Sequence, residues 1–217
     1  MGIIFAQEGD ADEAILEQLL ALSPQGFPSS RIFSTLARER VGKISTGNPD
    51  LVLMDWLAEE EMLFRVLERH IVRERLRNGF GPHNDDVDEF ISYSLSVHNR
   101  RKSRVGFAFE HHLEVVFIEN GLHYEKGGKG NVTENNSKPD FLFPSFAAYH
   151  NPSYPVSSLF MLAAKTTCKD RWRQVLAEAG RLKEKYLVTL QPGISTNQLQ
   201  EMKYHNLQLV VPETLIS

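Results

Sequence analysis

Asp140 opens a short apolar run, Phe141-Leu142-Phe143, and Lys165 closes the next, which begins at Leu159. Both runs read as strands, so an aspartate stands at the head of one and a lysine at the tail of the other. One carboxylate, one lysine and a second carboxylate nearby are the groups a magnesium-dependent phosphodiesterase needs. The metal polarises the phosphate and helps ionise a bound water, and the lysine steadies that water or the charge that builds on phosphorus. The pattern reads as a nuclease core.

The second carboxylate is the difficulty. Side chains alternate along a strand, so Leu159, Met161, Ala163 and Lys165 share one face. In nucleases of the PD-(D/E)xK type the residue two before the lysine is usually acidic, and here it is Ala163, which cannot hold a metal. The segment Lys169 to Leu182 reads as a helix whose apolar stripe is Trp172, Val175, Leu176, Ala179 and Leu182. Glu178 lies beside that stripe by the helical step, where it can reach the strand ends. Asp140 and Glu178 are therefore the expected metal ligands, with water completing the shell. A strand-flanking Asp and Lys also arise by chance, and Ala163 counts against the reading until Glu178 is accepted.

Two basic clusters accompany these residues: Asn99-Arg100-Arg101-Lys102-Ser103-Arg104, read as the joint between two helices, and Lys169-Asp170-Arg171 with Arg173. Arginine reads guanine bidentately and aspartate accepts from cytosine N4, so Lys-Asp-Arg suits C·G pairs; a solvated helix start is the plainer alternative. His111 and His112 are adjacent, point about 100° apart on a helix and cannot chelate together, so packing is expected. Cys168 is expected to pack, Gly127-Gly128-Lys129-Gly130 to form a flexible turn, Trp56 to anchor a core, and Glu59-Glu60-Glu61 to lie on a solvated face.

These groups must be carried by an ordinary globular chain. It has 217 residues, 41% hydrophobic and 24% charged, and a net charge of −4. The acidic balance excludes bulk polyanion binding and leaves DNA contact to local clusters. A single cysteine forbids an internal disulfide, which favours a reducing cytoplasm, and no apolar stretch approaches a membrane span. The first half reads as helices over 11–22, 30–41, 51–77, 85–99 and 103–120, with Asp50 as a possible cap. The second half alternates: strands near 123–125, 140–143, 159–165, 186–190 and 207–211, helices over 169–182 and 197–204. That order predicts an α/β fold, a mixed central sheet flanked by helices with a helical N-terminal region. The expected domains are 1–80, helical and supporting DNA binding or dimerisation, and 81–217, the nuclease core.

Over roughly Gly79 to Pro212 the chain resembles the catalytic domain of EcoRII-type restriction endonucleases, within the PD-(D/E)xK superfamily. The stretches that carry the resemblance are Asn99 to Arg104, Lys138 to Ser145, Ala148-Tyr149-His150, Lys165 to Val175, Thr189-Leu190-Gln191 and Leu209 to Pro212. The resemblance implies Asp140, Lys165 and Glu178 as catalytic residues and Glu110 as a further acid of the active site. It implies Lys169, Asp170 and Arg171 as readers of the C·G pairs in a CC…GG site, and the Ala163 gap as a family trait. It further implies Mg²⁺, double-stranded DNA, a homodimer and a cognate cytosine methyltransferase in the same system. The archetype's large N-terminal effector domain has no counterpart in the eighty or so residues before the match, so a stand-alone catalytic domain or an excised fragment is expected. Trp56 does not clearly match the family's base pocket. A repair nuclease with little sequence preference, or a non-cleaving DNA-binding relative, are the rival readings.

Overall fold

The structure, a computed structural model, describes residues 7–24, 26–42 and 47–216. Residues 43–46, half of the loop expected between the helices at 30–41 and 51–77, lie outside them, as does the side chain of Asp170. The described chain divides into two compact units. One takes the residues up to Gly42 together with Asp55–Ala108; the other takes those from Gly47 to Met54 together with Phe109 onward. The divisions fall inside two long helices, whereas the expected domains met at residue 80.

The first unit is helical. It comprises α1 (Gln7–Leu22), α2 (Ser30–Val41), most of α3 (Pro49–Asn78) and the first two thirds of α4 (Val87–Glu119). Its core is the apolar stripe of these helices: Leu19, Phe33, Ala37, Leu63 and Leu67 are buried, and Phe27 stacks on Phe64 at 5.2 Å. Asn48, rather than Asp50, caps α3, accepting the Leu51 N–H at 3.0 Å. Asp50 instead accepts the Glu213 N–H at 2.9 Å, within the second unit.

Two helices were expected where α4 runs unbroken. The joint Asn99 to Arg104 contains neither glycine nor proline, and arginine and lysine are good helix formers. Acids on α3 remove the repulsion that would have opposed it. Arg101 pairs with Glu68 at 2.6 Å, and the buried Arg104 pairs with Glu61 and approaches Glu60 at 4.0 Å. The acidic run is therefore no solvated face: Glu60 is 0% exposed, and Glu59 pairs with Arg40 at 2.5 Å.

The second unit holds the sheet. Among its described residues the strands are β1 (Phe141–Phe143), β2 (Phe160–Lys165), β3 (Lys185–Thr189) and β4 (Leu207–Val210), in the order β1-β2-β3-β4. β1 runs antiparallel to β2; β2, β3 and β4 are parallel. α5 (Phe146–His150), α6 (Trp172–Val175) and α7 (Thr196–Tyr204) complete it. The strand expected over 123–125 is reduced to one bridge, Glu125 to Leu142. His111 and His112 are buried on α4, as packing histidines would be.

The helix expected over 169–182 is largely absent. A 3₁₀ turn (Lys169–Arg171) leads into the single turn of α6, and the chain then runs irregularly to β3. Trp172, Val175 and Ala179 are nonetheless fully buried, with Leu182 close behind. Full burial of a large apolar side chain is worth about 1.5–3 kcal/mol, against about 1 kcal/mol net for one backbone hydrogen bond. The stripe's burial survives without the helix that suggested it.

Candidate active site

β1 and β2 pair with Phe141 opposite Leu162, so the residue before β1 comes level with the end of β2. That register brings Asp140 and Lys165 together. The Lys165 ammonium donates to Asp140 Oδ2 at 2.5 Å, and the Ala164 N–H donates to the same oxygen at 2.8 Å. Both bonds use Oδ2, which leaves Oδ1 available. A glycine sets the approach to Asp140. The Gly127 N–H donates to the Pro139 carbonyl at 2.9 Å, and a Cβ on Gly127 would come within 2.6 Å of the Lys138 and Pro139 backbone. Gly127, the first residue of the segment expected to be a flexible turn, is thus pressed against the residues that lead into Asp140, while Gly128 to Asn131 form the turn.

Glu178 joins the pair from the irregular segment after α6, not from a helix face. Burial raises its carboxyl to about 7; the positive charge of Lys165 opposes that rise, Asp140 adds to it, and Lys185 opposes it. Its Oε2 is buried and has no hydrogen-bond partner. Lys185, at the head of β3, has its ammonium pulled down by burial against the pull of Glu178 and Glu134, and donates to the Leu176 carbonyl at 2.6 Å. Ala163 is fully buried.

Glu110 has a different partner. The Lys126 ammonium donates to Glu110 at 2.7 Å and to Glu114 at 2.8 Å, and lies 5.4 Å from the Phe141 ring. Burial acts to lower the Lys126 pKa, but the hydrogen bonds to Glu110 and Glu114 outweigh it, and the net shift is upward. Lys126 escaped the sequence reading because nothing local marks a loop lysine as the partner of acids on a helix.

The second basic cluster is held beside β2. The Gln191 amide oxygen accepts the Cys168 N–H at 2.6 Å and the Lys169 N–H at 3.3 Å, which fixes the turn that presents Lys169 and Arg171, both exposed. Cys168 is buried, as expected of a packing residue. Arg173 is engaged by Glu201 at 2.8 Å and lies over the Trp172 ring at 4.8 Å. In the other unit Arg101 and Arg104 are committed to Glu68, Glu60 and Glu61, and Arg100 sits 4.4 Å from the Phe27 ring, while Lys102 is exposed.

Among the described residues no group of three or more His, Cys, Asp or Glu side chains could hold a metal ion. Two carboxylates are nevertheless what a hard, reluctantly dehydrated cation such as Mg²⁺ takes from a protein, the rest of its shell being water and phosphate. An unpartnered buried oxygen on Glu178 and the Oδ1 of Asp140 fit that demand.

This architecture is that of the restriction endonucleases. The chain superposes on metal-depleted Ecl18kI in complex with uncleaved, modified DNA with a TM-score of 0.69 at 18% identity, covering 94% of this chain and 74% of that one. It superposes on the PspGI–substrate DNA complex with a TM-score of 0.68, also at 18% identity, covering 85% and 76%. Sequence narrows the class: residues 64–217 match the family described as EcoRII C terminal, and the chain belongs to that family. It is 47% identical over 190 residues to the type II restriction enzyme EcoRII of Escherichia coli, covering 87% of this chain and 45% of that protein. It is 26% identical over 166 residues to the type II restriction enzyme SsoII of Shigella sonnei, covering 70% and 53%. The chain thus spans about half the length of these relatives. No helix among the described residues is long and apolar enough to cross a membrane.

Proposed function

We propose that this chain is the catalytic part of a type II restriction endonuclease, which hydrolyses double-stranded DNA at a short palindrome containing CC/GG. The observation that carries the reading is the Lys165–Asp140 contact beside a buried carboxylate with an unused oxygen. Asp140 and Glu178 would hold Mg²⁺, which when bound supplies Lewis-acid polarisation of the phosphate and a more acidic water. Asp140 orients the Lys165 ammonium through Oδ2, and the ammonium donates to the attacking water or to a phosphate oxygen. Glu178 is poised near neutrality and must be deprotonated to serve as a ligand. Glu110, tied to Lys126, has a supporting part.

Site recognition falls to the exposed Lys169 and Arg171 with Asp170, and Arg173 is available once it leaves Glu201. Lys102 suits a phosphate, whereas Arg100, Arg101 and Arg104 mainly brace the helical unit, which would support DNA binding and dimerisation. A homodimer places one Asp140–Lys165–Glu178 set on each strand of a palindrome. A cytosine methyltransferase protecting the host genome and a cytoplasmic location follow from the same role.

Digestion of a plasmid of known sequence tests the whole reading. Discrete fragments are expected in Mg²⁺; a smear would favour a repair nuclease, and intact plasmid a non-cleaving relative. Arg171→Ala is expected to cost about 1–3 kcal/mol in specific binding if its guanidinium reads guanine. A gel-shift series on site-containing and random DNA checks this, since equal losses on both would reduce Arg171 to a phosphate contact.

A further inference from the structure

Glu178 sits in a segment without regular secondary structure, so its position must be set by side chains from elsewhere. The next residue, Ala179, has φ 48°, a conformation that disfavours a side chain. The three backbone N–H groups that follow Glu178 all donate to side chains, none to a helical carbonyl. Ala179 donates to the Thr133 hydroxyl at 3.2 Å, Gly180 to the Glu134 carboxylate at 2.8 Å, and Arg181 to the Tyr149 hydroxyl at 3.1 Å. Glu134 is the hub, because the Tyr149 hydroxyl itself donates to it at 2.6 Å. Tyr149 is 2% exposed and fixed in the core, whereas Glu134 is exposed, and replacing it removes the hub without opening a cavity.

We propose that Glu134 is a positioning residue for Glu178, holding the Glu178 turn against Tyr149 so that its carboxylate meets Asp140 and Lys165. This rests on Glu178 serving the reaction. Ligands and catalytic groups tolerate little displacement, and a misplacement of about 1 Å can cost about 100-fold in rate. Glu134 lies 44 residues before Glu178 in the chain and touches neither the lysine nor the aspartate.

The test compares the full chain with Glu134→Ala, Glu134→Gln and Glu178→Gln. It reads single-turnover cleavage of DNA in saturating Mg²⁺, direct binding of Mn²⁺, DNA affinity without metal, and melting temperature. Glu134→Ala is expected to slow cleavage by about 10–100-fold and to weaken Mn²⁺ binding several-fold, with DNA affinity and melting temperature close to wild type. Glu134→Gln keeps one oxygen acceptor and is expected to recover part of both losses. Wild-type cleavage and Mn²⁺ binding by Glu134→Ala, while Glu178→Gln is inactive, would overturn the proposal and leave the Glu178 assignment standing. A parallel fall in melting temperature and DNA affinity would also overturn it, by showing a general packing role. Wild-type cleavage by Glu178→Gln would remove the assignment on which the proposal rests, and the proposal with it.

Discussion

Lys126 and Lys165 of the second unit each face two acids, and the two clusters are built differently. Lys126 is bonded to both of its carboxylates, at 2.7 Å to Glu110 and 2.8 Å to Glu114. Lys165 is bonded to one, Asp140 at 2.5 Å, while Glu178 keeps a buried oxygen with no partner. Burial of charge is costly unless the charge is paired and hydrogen-bonded. The closed cluster meets that condition within the protein. The open one meets it only when a cation or a proton arrives, and a site that holds such a demand in readiness is suited to chemistry.

Substituting each lysine is the strongest way to break the comparison. Lys165→Ala is expected to lower cleavage by about 10³-fold, within the range for loss of one charge-stabilising group, while site-specific binding survives. Single-turnover cleavage and a binding titration on the same DNA check it. Lys126→Met should instead act on stability. It removes the ammonium that bonds both Glu110 and Glu114, at a cost of about 1–3 kcal/mol, readable as a lower urea midpoint with unchanged slope. A rate loss at Lys126 as deep as that at Lys165 would erase the distinction and draw Glu110 into the reaction itself.

The same contrast explains what was legible in the sequence. Asp140 and Lys165 could be paired from their places at strand ends, because strand ends in register are neighbours whatever the rest of the fold does. Glu178 was identified as the second acid on a geometry the chain does not have: the helix expected to carry it stops at Val175. The amides that would have continued that helix are received by Thr133, Glu134 and Tyr149, and no local pattern near Glu178 announces them. The basic run at Arg100–Arg104 was legible as charge but not as structure. Its meaning depends on Glu60, Glu61 and Glu68, a helix away: Arg101 pairs with Glu68 at the surface, and Arg104 is buried against Glu60 and Glu61. Apolar stripes were the most reliable signal, since burial at Trp172, Val175 and Leu182 held even where the element was wrong.

The subtlest test of the open cluster is its own cost to the metal-free fold. Burial holds the Glu178 carboxyl at about 7 in the folded chain, against an ordinary 4.5. Below pH 4.5 the group is protonated whether folded or not, and it contributes nothing to the pH dependence. Between 4.5 and 7 the folded state holds a proton that the unfolded state has released, so stability falls as pH rises. Above 7 the full cost is present, on the order of 1 kcal/mol once the partial exposure of the group is allowed for. Glu178→Gln carries no such charge. It is expected to melt about 2–4 °C above wild type at pH 8 and together with it near pH 4, both in chelator. Adding Mg²⁺ at pH 8 should stabilise wild type and leave the variant almost unmoved, since only the carboxylate gains a partner. A constant offset across the whole pH range would mean that the Glu178 oxygen is satisfied in solution, and the two lysine clusters would then be alike.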